Sequence, residues 1–169
     1  MSDSTSDPKR RGEAEPRARG ADPRADSSWA RGLEVRKAVL GGAHVERALA
    51  GANDFDRDFQ EYITRAAWGE IWTRPGLPVP TRHLLTIVML ATLNRQEELA
   101  MHLEATKNTG LSVDEVKEAL MQVAVYAGVP AAHAAIKTAK RVFAARGVSD
   151  PPLPEIGSLP LTREAERNE

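Results

Sequence analysis

The sequence predicts an all-α protein: one helical domain of about six to seven helices between two loose ends. Three observations carry this. Apolar residues recur at three- and four-residue spacing between residues 31 and 147, and no segment shows a convincing period-two alternation. Helix punctuation recurs at Gly41-Gly42, Gly110, Gly128-Val129-Pro130 and Gly147. No hairpin turn separates two β-branched runs.

Residues 1–30 mix Ser, Asp, Arg, Pro and Gly, with Trp29 as their one aromatic side chain. Burial there cannot offset about 1–2 kcal/mol of backbone entropy per residue, so a disordered extension is expected. The sharper alternative is an intermolecular arm anchored by Trp29. From Arg31 the pattern becomes helical. RGLEVRKAVL carries Leu33, Val35, Val39 and Leu40 and stops at Gly41-Gly42, and AHVERALA places Val45 and Leu49 four apart. Asp54 is the expected N-cap of one long helix, FDRDFQEYITRAAWGEIWTR, with Phe55, Phe59, Tyr62, Ile63, Ala66 and Ile71 as its apolar stripe. TRPGLPVP is a rigid connector, because its prolines forbid regular helix.

Pro80 suits the first position of the next helix, whose Leu84, Leu85, Ile87, Val88, Met89 and Leu90 cover most sides and make it central. Asn94 with Glu97 reads as a capping pair for the helix ending at Gly110. Ser112 with Glu115 is a second capping box, opening a helix that buries Val116, Leu120, Val123 and Ala127. Pro130 restarts the chain for a last helix to Gly147, with Ile136, Ala139 and Phe143 inward. Residues 148–169 are proline-broken and expected to be extended or disordered. One thin layer of helices with small-residue faces buries a modest core, so a homo-oligomer is expected.

The 169 residues carry a net charge of −1, which gives no electrostatic case for nucleic acid or an anionic membrane. No stretch approaches the roughly 18 uninterrupted apolar residues of a membrane span, and the N-terminus lacks the apolar core of a signal peptide. The absence of cysteine removes disulfides, thiolate metal sites and thiol redox chemistry together. A cytoplasmic protein is the expectation.

The stretch from Pro80 to Gly110 concentrates the chemistry. After Asn94, the residues Arg95, Glu98 and His102 recur at helical spacing. Glu98, His102 and His133 are the only candidates for a metal, and no H-E-x-x-H or calcium loop supports one. Ser112 is explained by capping, the other serines lie near the ends of the chain, and no phosphate loop occurs. General acid–base work remains, with His102 as its best candidate and Glu98 one turn earlier to orient it; the competing reading is a solvated pair. His83 reads as a helix-start residue at a surface or subunit contact, and His133 as a core or interface residue. A second cluster, AAWGEIWTRPGL, sets Trp68, Glu70, Trp72 and Arg74 close together. It reads equally as a capped helix end with packed indoles or as an aromatic wall with a cation for a small anion.

The segments VLGGAHVERA, DFQEYITRAAWGEIWTRPGL, TRHLLTIVMLATLNRQEELAMHLEATKNTG and EVKEALMQVAVYAGVPAA together resemble the carboxymuconolactone decarboxylase family, over residues 39 to 145. The wider superfamily also contains alkylhydroperoxidases of the same helical fold. Their pattern is Glu, eleven residues, Cys-x-x-Cys, three residues, His. Laid on His102, the cysteine positions fall on Arg95 and Glu98 and the glutamate position on His83. Only the last histidine matches, so cysteine-dependent peroxidase chemistry is excluded. The match favours His102 as a site histidine over a solvated pair. His133 stands where a small polar residue is expected in the decarboxylases.

The resemblance implies an alkylhydroperoxidase-like fold, a trimer or hexamer, and decarboxylation of 4-carboxymuconolactone in the protocatechuate branch of aromatic catabolism. The partner is then a small anionic lactone, and the lactone is its own electron sink, so neither cofactor nor metal is expected. Implied roles are His102 as proton donor with Glu98 orienting it, Glu70 as a second acid–base candidate, Arg95 or Arg74 gripping the retained carboxylate, and Trp72 as an apolar wall. The alternatives are a non-catalytic ligand-binding or scaffold member of the fold, and a related decarboxylase or isomerase acting on another lactone.

Overall fold

The computed structural model describes residues 27–148. Seven α-helices and one π-helix run through these residues: α1 (Ser27–Leu40), α2 (Gly42–Ala50), α3 (Arg57–Ile63), the π-helix (Thr64–Ile71), α4 (Val79–Thr92), α5 (Gln96–Thr109), α6 (Val113–Tyr126) and α7 (Val129–Ala145). The all-α expectation holds. Residues 1–26 and 149–169, the rest of the two expected loose ends, lie outside the described residues.

Helices α4 to α7 share the main core. Ile87 and Ala91 of α4, Leu99 and Leu103 of α5, Val116, Leu120 and Val123 of α6, and Ala135, Ala139 and Phe143 of α7 are buried together. Full burial of each large aliphatic side chain here stabilises the fold by about 1.5–3 kcal/mol. Ser112 accepts from Glu115 N at 3.1 Å while Glu115 accepts from Ser112 N at 2.8 Å, completing the expected capping box of α6. Gly110, at φ 78°, closes α5 in the left-handed conformation.

A second core joins α1 to the π-helix through Val39, Trp68 and Trp72. The two backbones touch. A Cβ on Gly32 would lie 2.1 Å from Thr64 O, and one on Gly69 would lie 2.1 Å from Ser28 O. Arg36 is buried across the same joint, donating to Thr64 Oγ1 at 2.9 Å and Gln60 Oε1 at 3.0 Å.

Several sequence expectations shift. Helix α1 begins at Ser27, so Trp29 belongs to it, because Ser28 packs on Gly69 rather than ending a free extension. Asp54 is not the N-cap of α3. Asn53 Oδ1 accepts from Phe55 N and Asp56 Oδ1 accepts from Asn53 N, each at 2.8 Å, and this local turn delays the helix to Arg57. The single long helix expected after it changes register: Trp72 N donates to Ala67 O, five residues back, at 2.9 Å. Its buried positions are therefore Thr64, Trp68 and Gly69, while Phe55, Phe59, Tyr62 and Ile71 face outward. Asn94 does not cap α5. It takes φ 55°, the N-cap is Arg95, and the Asn94 side chain accepts from Gln96 Nε2 at 2.8 Å. Leu85 and Met89 of α4, Ala127 after α6 and Ile136 of α7, all expected inward, are exposed.

Candidate active site

The turn at Asn94 folds α5 back along α4. This brings residues near the start of α4 opposite the middle of α5, and two histidines meet there. His83 Nε2 lies 3.1 Å from His102 Nδ1. On the other side of its ring, His83 Nδ1 lies 2.8 Å from Thr109 Oγ1. His83 is fully buried and His102 is 7% exposed. The surface role expected for His83 is therefore corrected: the α4 face that carries Ile87 also carries His83 into the interior.

Donor and acceptor roles along the network depend on the histidine tautomers, and one assignment satisfies every contact. Thr109 Oγ1 donates to Thr106 O at 3.3 Å, which leaves the hydroxyl oxygen to accept from His83 Nδ1–H. His83 Nε2 then accepts from His102 Nδ1–H. His102 Nε2 has no hydrogen-bond partner among the described residues and is not fully buried. It is the one ring nitrogen of the pair left for a ligand.

Burial lowers the pKa of both histidines to about 4. Burial is the largest cause in each; for His102 the charges of His83 and then His44 act in the same direction within that value, whereas a hydrogen bond to the His102 backbone opposes the lowering for His83. Both rings are neutral at pH 7.

Aromatic rings continue the row. Trp72 lies 6.0 Å from His83 between ring centres, tilted by 59°, and stacks on Trp68 at 4.6 Å. Trp72 thus stands behind His83 rather than beside His102. Glu98 is exposed and makes no hydrogen bond or ion pair with His102; the residue that holds His102 is His83. The i to i+4 spacing puts residues 98 and 102 on neighbouring tracks of α5, but the burial boundary runs between them. Glu70, Arg74, Arg95 and His133 are also exposed, and none is hydrogen-bonded or ion-paired to the histidine pair among the described residues. The Arg74 carbonyl accepts from Arg82 Nη2 at 3.2 Å. Among the described residues no group of three metal-ligating side chains converges.

Sequence spacing missed His83, His44 and Thr109. A signal for His83 was present, since the glutamate position of the superfamily pattern falls on it when the pattern is laid on His102. His44 and Thr109 had none, because only the fold brings them near α5.

Two cavities open on the described surface. One of about 650 Å3, between Trp29, Leu49, Arg57 and Glu61, is remote from His102 in the helix layout. The other, of about 480 Å3, lies between the α1–α2 turn and α5, whose Met101 and Ala105 flank His102 in sequence.

Residues 57–141, which include both histidines, match the Carboxymuconolactone decarboxylase family. A 4-carboxymuconolactone decarboxylase of Acinetobacter baylyi is 49% identical over 124 residues, which is 73% of this chain and 92% of that protein. A nitrosuccinic acid decarboxylase, npaB, of Metarhizium robertsii is 43% identical over 99 residues, 59% of this chain and 69% of that one. A 4-carboxymuconolactone decarboxylase of Pseudomonas putida is 59% identical over 39 residues, 23% of this chain and 81% of that one.

Proposed function

We infer the reaction from one premise: the chain belongs to the carboxymuconolactone decarboxylase family. It is a carboxy-lyase that converts 4-carboxymuconolactone to the enol-lactone of 3-oxoadipate and CO2. The observation that carries this reading is the 49% identity extending over 92% of the Acinetobacter baylyi enzyme.

The chemistry is vinylogous. The departing carboxylate and an acetate arm share one ring carbon, and a ring double bond links that carbon to the lactone carbonyl. When the bond to the carboxylate breaks, its electron pair becomes a new ring double bond. The original double bond shifts toward the carbonyl, whose oxygen takes the charge of a furanolate. One proton, added to the carbon next to the carbonyl, completes the product. The protein must supply that proton, a donor for the oxyanion and a cation for the retained carboxylate. A missing oxyanion donor alone costs about 2.7–4 kcal/mol in comparable sites.

His102 is the proposed proton donor. It is neutral in the resting chain, and the two substrate carboxylates favour its protonation at Nε2. The hydrogen-bond polarity suits the resulting imidazolium. Nδ1–H donates to His83, His83 donates to Thr109, and Thr109 donates to Thr106 O, so no donor is stranded. Loss of CO2 moves the carboxylate's charge onto the furanolate, and transfer of the His102 proton to the carbon next to the carbonyl then removes it, returning His102 to its neutral form. Trp72 supports the pair from behind His83. Nitrosuccinic acid, in the name of the Metarhizium relative, is also a dicarboxylic acid bearing an electron-withdrawing group. That parallel supports a site built to hold one carboxylate while another leaves.

Purified protein incubated with enzymatically prepared 4-carboxymuconolactone is expected to release CO2 and form the enol-lactone together. Absence of turnover by the wild-type chain rejects the assignment.

A further inference from the structure

The sequence resemblance points to Arg95 or Arg74 as the cation that holds the retained carboxylate, and the fold offers another group beside a cavity. The cavity of about 480 Å3 between the α1–α2 turn and α5 has the size of a small-ligand site. Gly41, at φ 91°, turns the chain so that α2 begins over α5, and Asn108 Nδ2 ties α5 to Val39 O at 2.9 Å. This fixes the two walls relative to each other. Gly42 and Ala43 keep one wall shallow, and Leu40 and Met101 give an apolar floor suited to a flat ring.

The ionisable groups of this cavity leave one cation unpaired among the described residues. His44 and Arg47 project from α2, and Lys107 and Glu104 from α5. Lys107 and Glu104 are paired with each other. Arg47 has no hydrogen bond or ion pair among the described residues, so it is the cavity's uncommitted positive charge. The first turn of α2 also has no side-chain cap, and N–H groups there lack intrahelical acceptors. A carboxylate placed between them meets both a guanidinium and a helix N-terminus.

The cavity is adjacent to the histidine pair. Met101, Ala105 and Asn108 face it at helical spacing, and at about 100° per residue His102 lies about 60° around α5 from Ala105. His44 is near enough for its charge to disfavour protonation of His102. His102 is not itself one of the lining residues; His44, which is, links the cavity to it, and His102 Nε2 has no hydrogen-bond partner among the described residues.

We propose that this cavity is the lactone-binding site, that Arg47 grips the retained acetate arm of the substrate, and that His44 is a further polar contact to the ring. The proposal rests on the decarboxylase reading for the identity of the ligand. It replaces Arg95 and Arg74, which do not line the cavity, as the anchoring cation.

Muconolactone tests it as a probe, since it keeps the ring and acetate arm but has no carboxylate to lose. Its binding to the full chain is followed by calorimetry, alongside steady-state turnover of 4-carboxymuconolactone. Arg47→Ala is expected to weaken muconolactone binding and raise KM at least tenfold, with Arg47→Lys restoring part of the loss. Arg95→Ala and Arg74→Ala are expected to stay within twofold of wild type. Ala43→Trp, which fills the cavity from an exposed position, is expected to abolish binding without lowering the melting temperature. Unchanged binding in both Arg47→Ala and Ala43→Trp overturns the site even if the wild-type chain is an active decarboxylase. If the wild-type chain binds muconolactone through Arg47 but does not decarboxylate the substrate, the site stands and the activity falls. A wild-type chain that does not bind muconolactone rejects the site.

Discussion

His83 and His102 stand nineteen residues apart in sequence and 3.1 Å apart between Nε2 and Nδ1, one ring from α4 and one from α5. This contact decides how His102 is held. Its Nδ1 is engaged by a buried neutral imidazole, not by a carboxylate, and its Nε2 has no hydrogen-bond partner among the described residues. A carboxylate partner holds an imidazolium permanently; a neutral one lets the charge come and go with the substrate.

Replacing His102 by Gln is therefore expected to lower kcat by about 100-fold or more, in the range of lost general acid catalysis. Glu98→Gln is expected to leave kcat within twofold, because Glu98 lies exposed and apart from the ring. Steady-state kinetics on variants shown by circular dichroism to be folded checks both. A large loss in Glu98→Gln with an intact His102→Gln would reverse the assignment.

Thr109 sets the direction of the network, through 2.8 Å to His83 Nδ1 and 3.3 Å to Thr106 O. Thr109→Val removes the acceptor that selects the His83 tautomer. The expected result is a several-fold lower kcat at unchanged KM, with the acid limb of the kcat profile displaced and the His83 ring nitrogen shifts altered in the NMR spectrum. A change in KM alone would mean that Thr109 acts on binding instead.

Much of this fold was legible because its signals are local. The Ser112–Glu115 capping box and the glycine at residue 110 act within one turn, and both appear as read. The change to π-register at Thr64 was not legible, because it follows from the α1 crossing, where Gly32 and Gly69 let two backbones meet. That non-local contact selects Thr64, Trp68 and Gly69 as the buried positions, while Phe55, Phe59 and Tyr62, expected in the apolar stripe, are exposed. The site divides the same way. His102 was found from its place in the charged stripe and the superfamily pattern. The cavity was not, since its walls come from α1, α2 and α5, and no spacing within one helix encodes that meeting.

The α1 crossing gives a prediction of its own. A Cβ at Gly32 would sit 2.1 Å from Thr64 O and 2.7 Å from Gly69 N, both backbone atoms that cannot rotate away. Gly32→Ala is expected to destabilise the fold by about 3 kcal/mol, at the upper end of overpacking costs. Gly42→Ala, whose Cβ meets nothing within 4 Å, serves as the control in thermal melts. Equal melting temperatures for the two would show that the helices separate at little cost.

The buried pair also makes stability depend on pH. In the folded chain His83 and His102 have pKa values of about 4, against 6.5 for the free side chain. Above pH 6.5 neither state binds the protons and the contribution is fully present. Between 6.5 and 4 the unfolded chain binds more protons, so stability falls as pH falls, by up to about 1.4 kcal/mol per unit for each histidine. Protonating one ring makes the second harder to charge at 3.1 Å, so the two titrate as a pair. Glu46, lowered by its hydrogen bond and charge contact with Lys37, and Glu115, lowered by its bonds to Ser112, lose their contributions only at more acid pH. Urea midpoints measured from pH 7.5 to 5 therefore isolate the histidines. A decline beginning near pH 6.5, flattened in His102→Gln, is the expected outcome. A flat profile, or a His102 ring that titrates near 6.5 by NMR, would mean that the pair is open to solvent and that burial does not set the charge of His102.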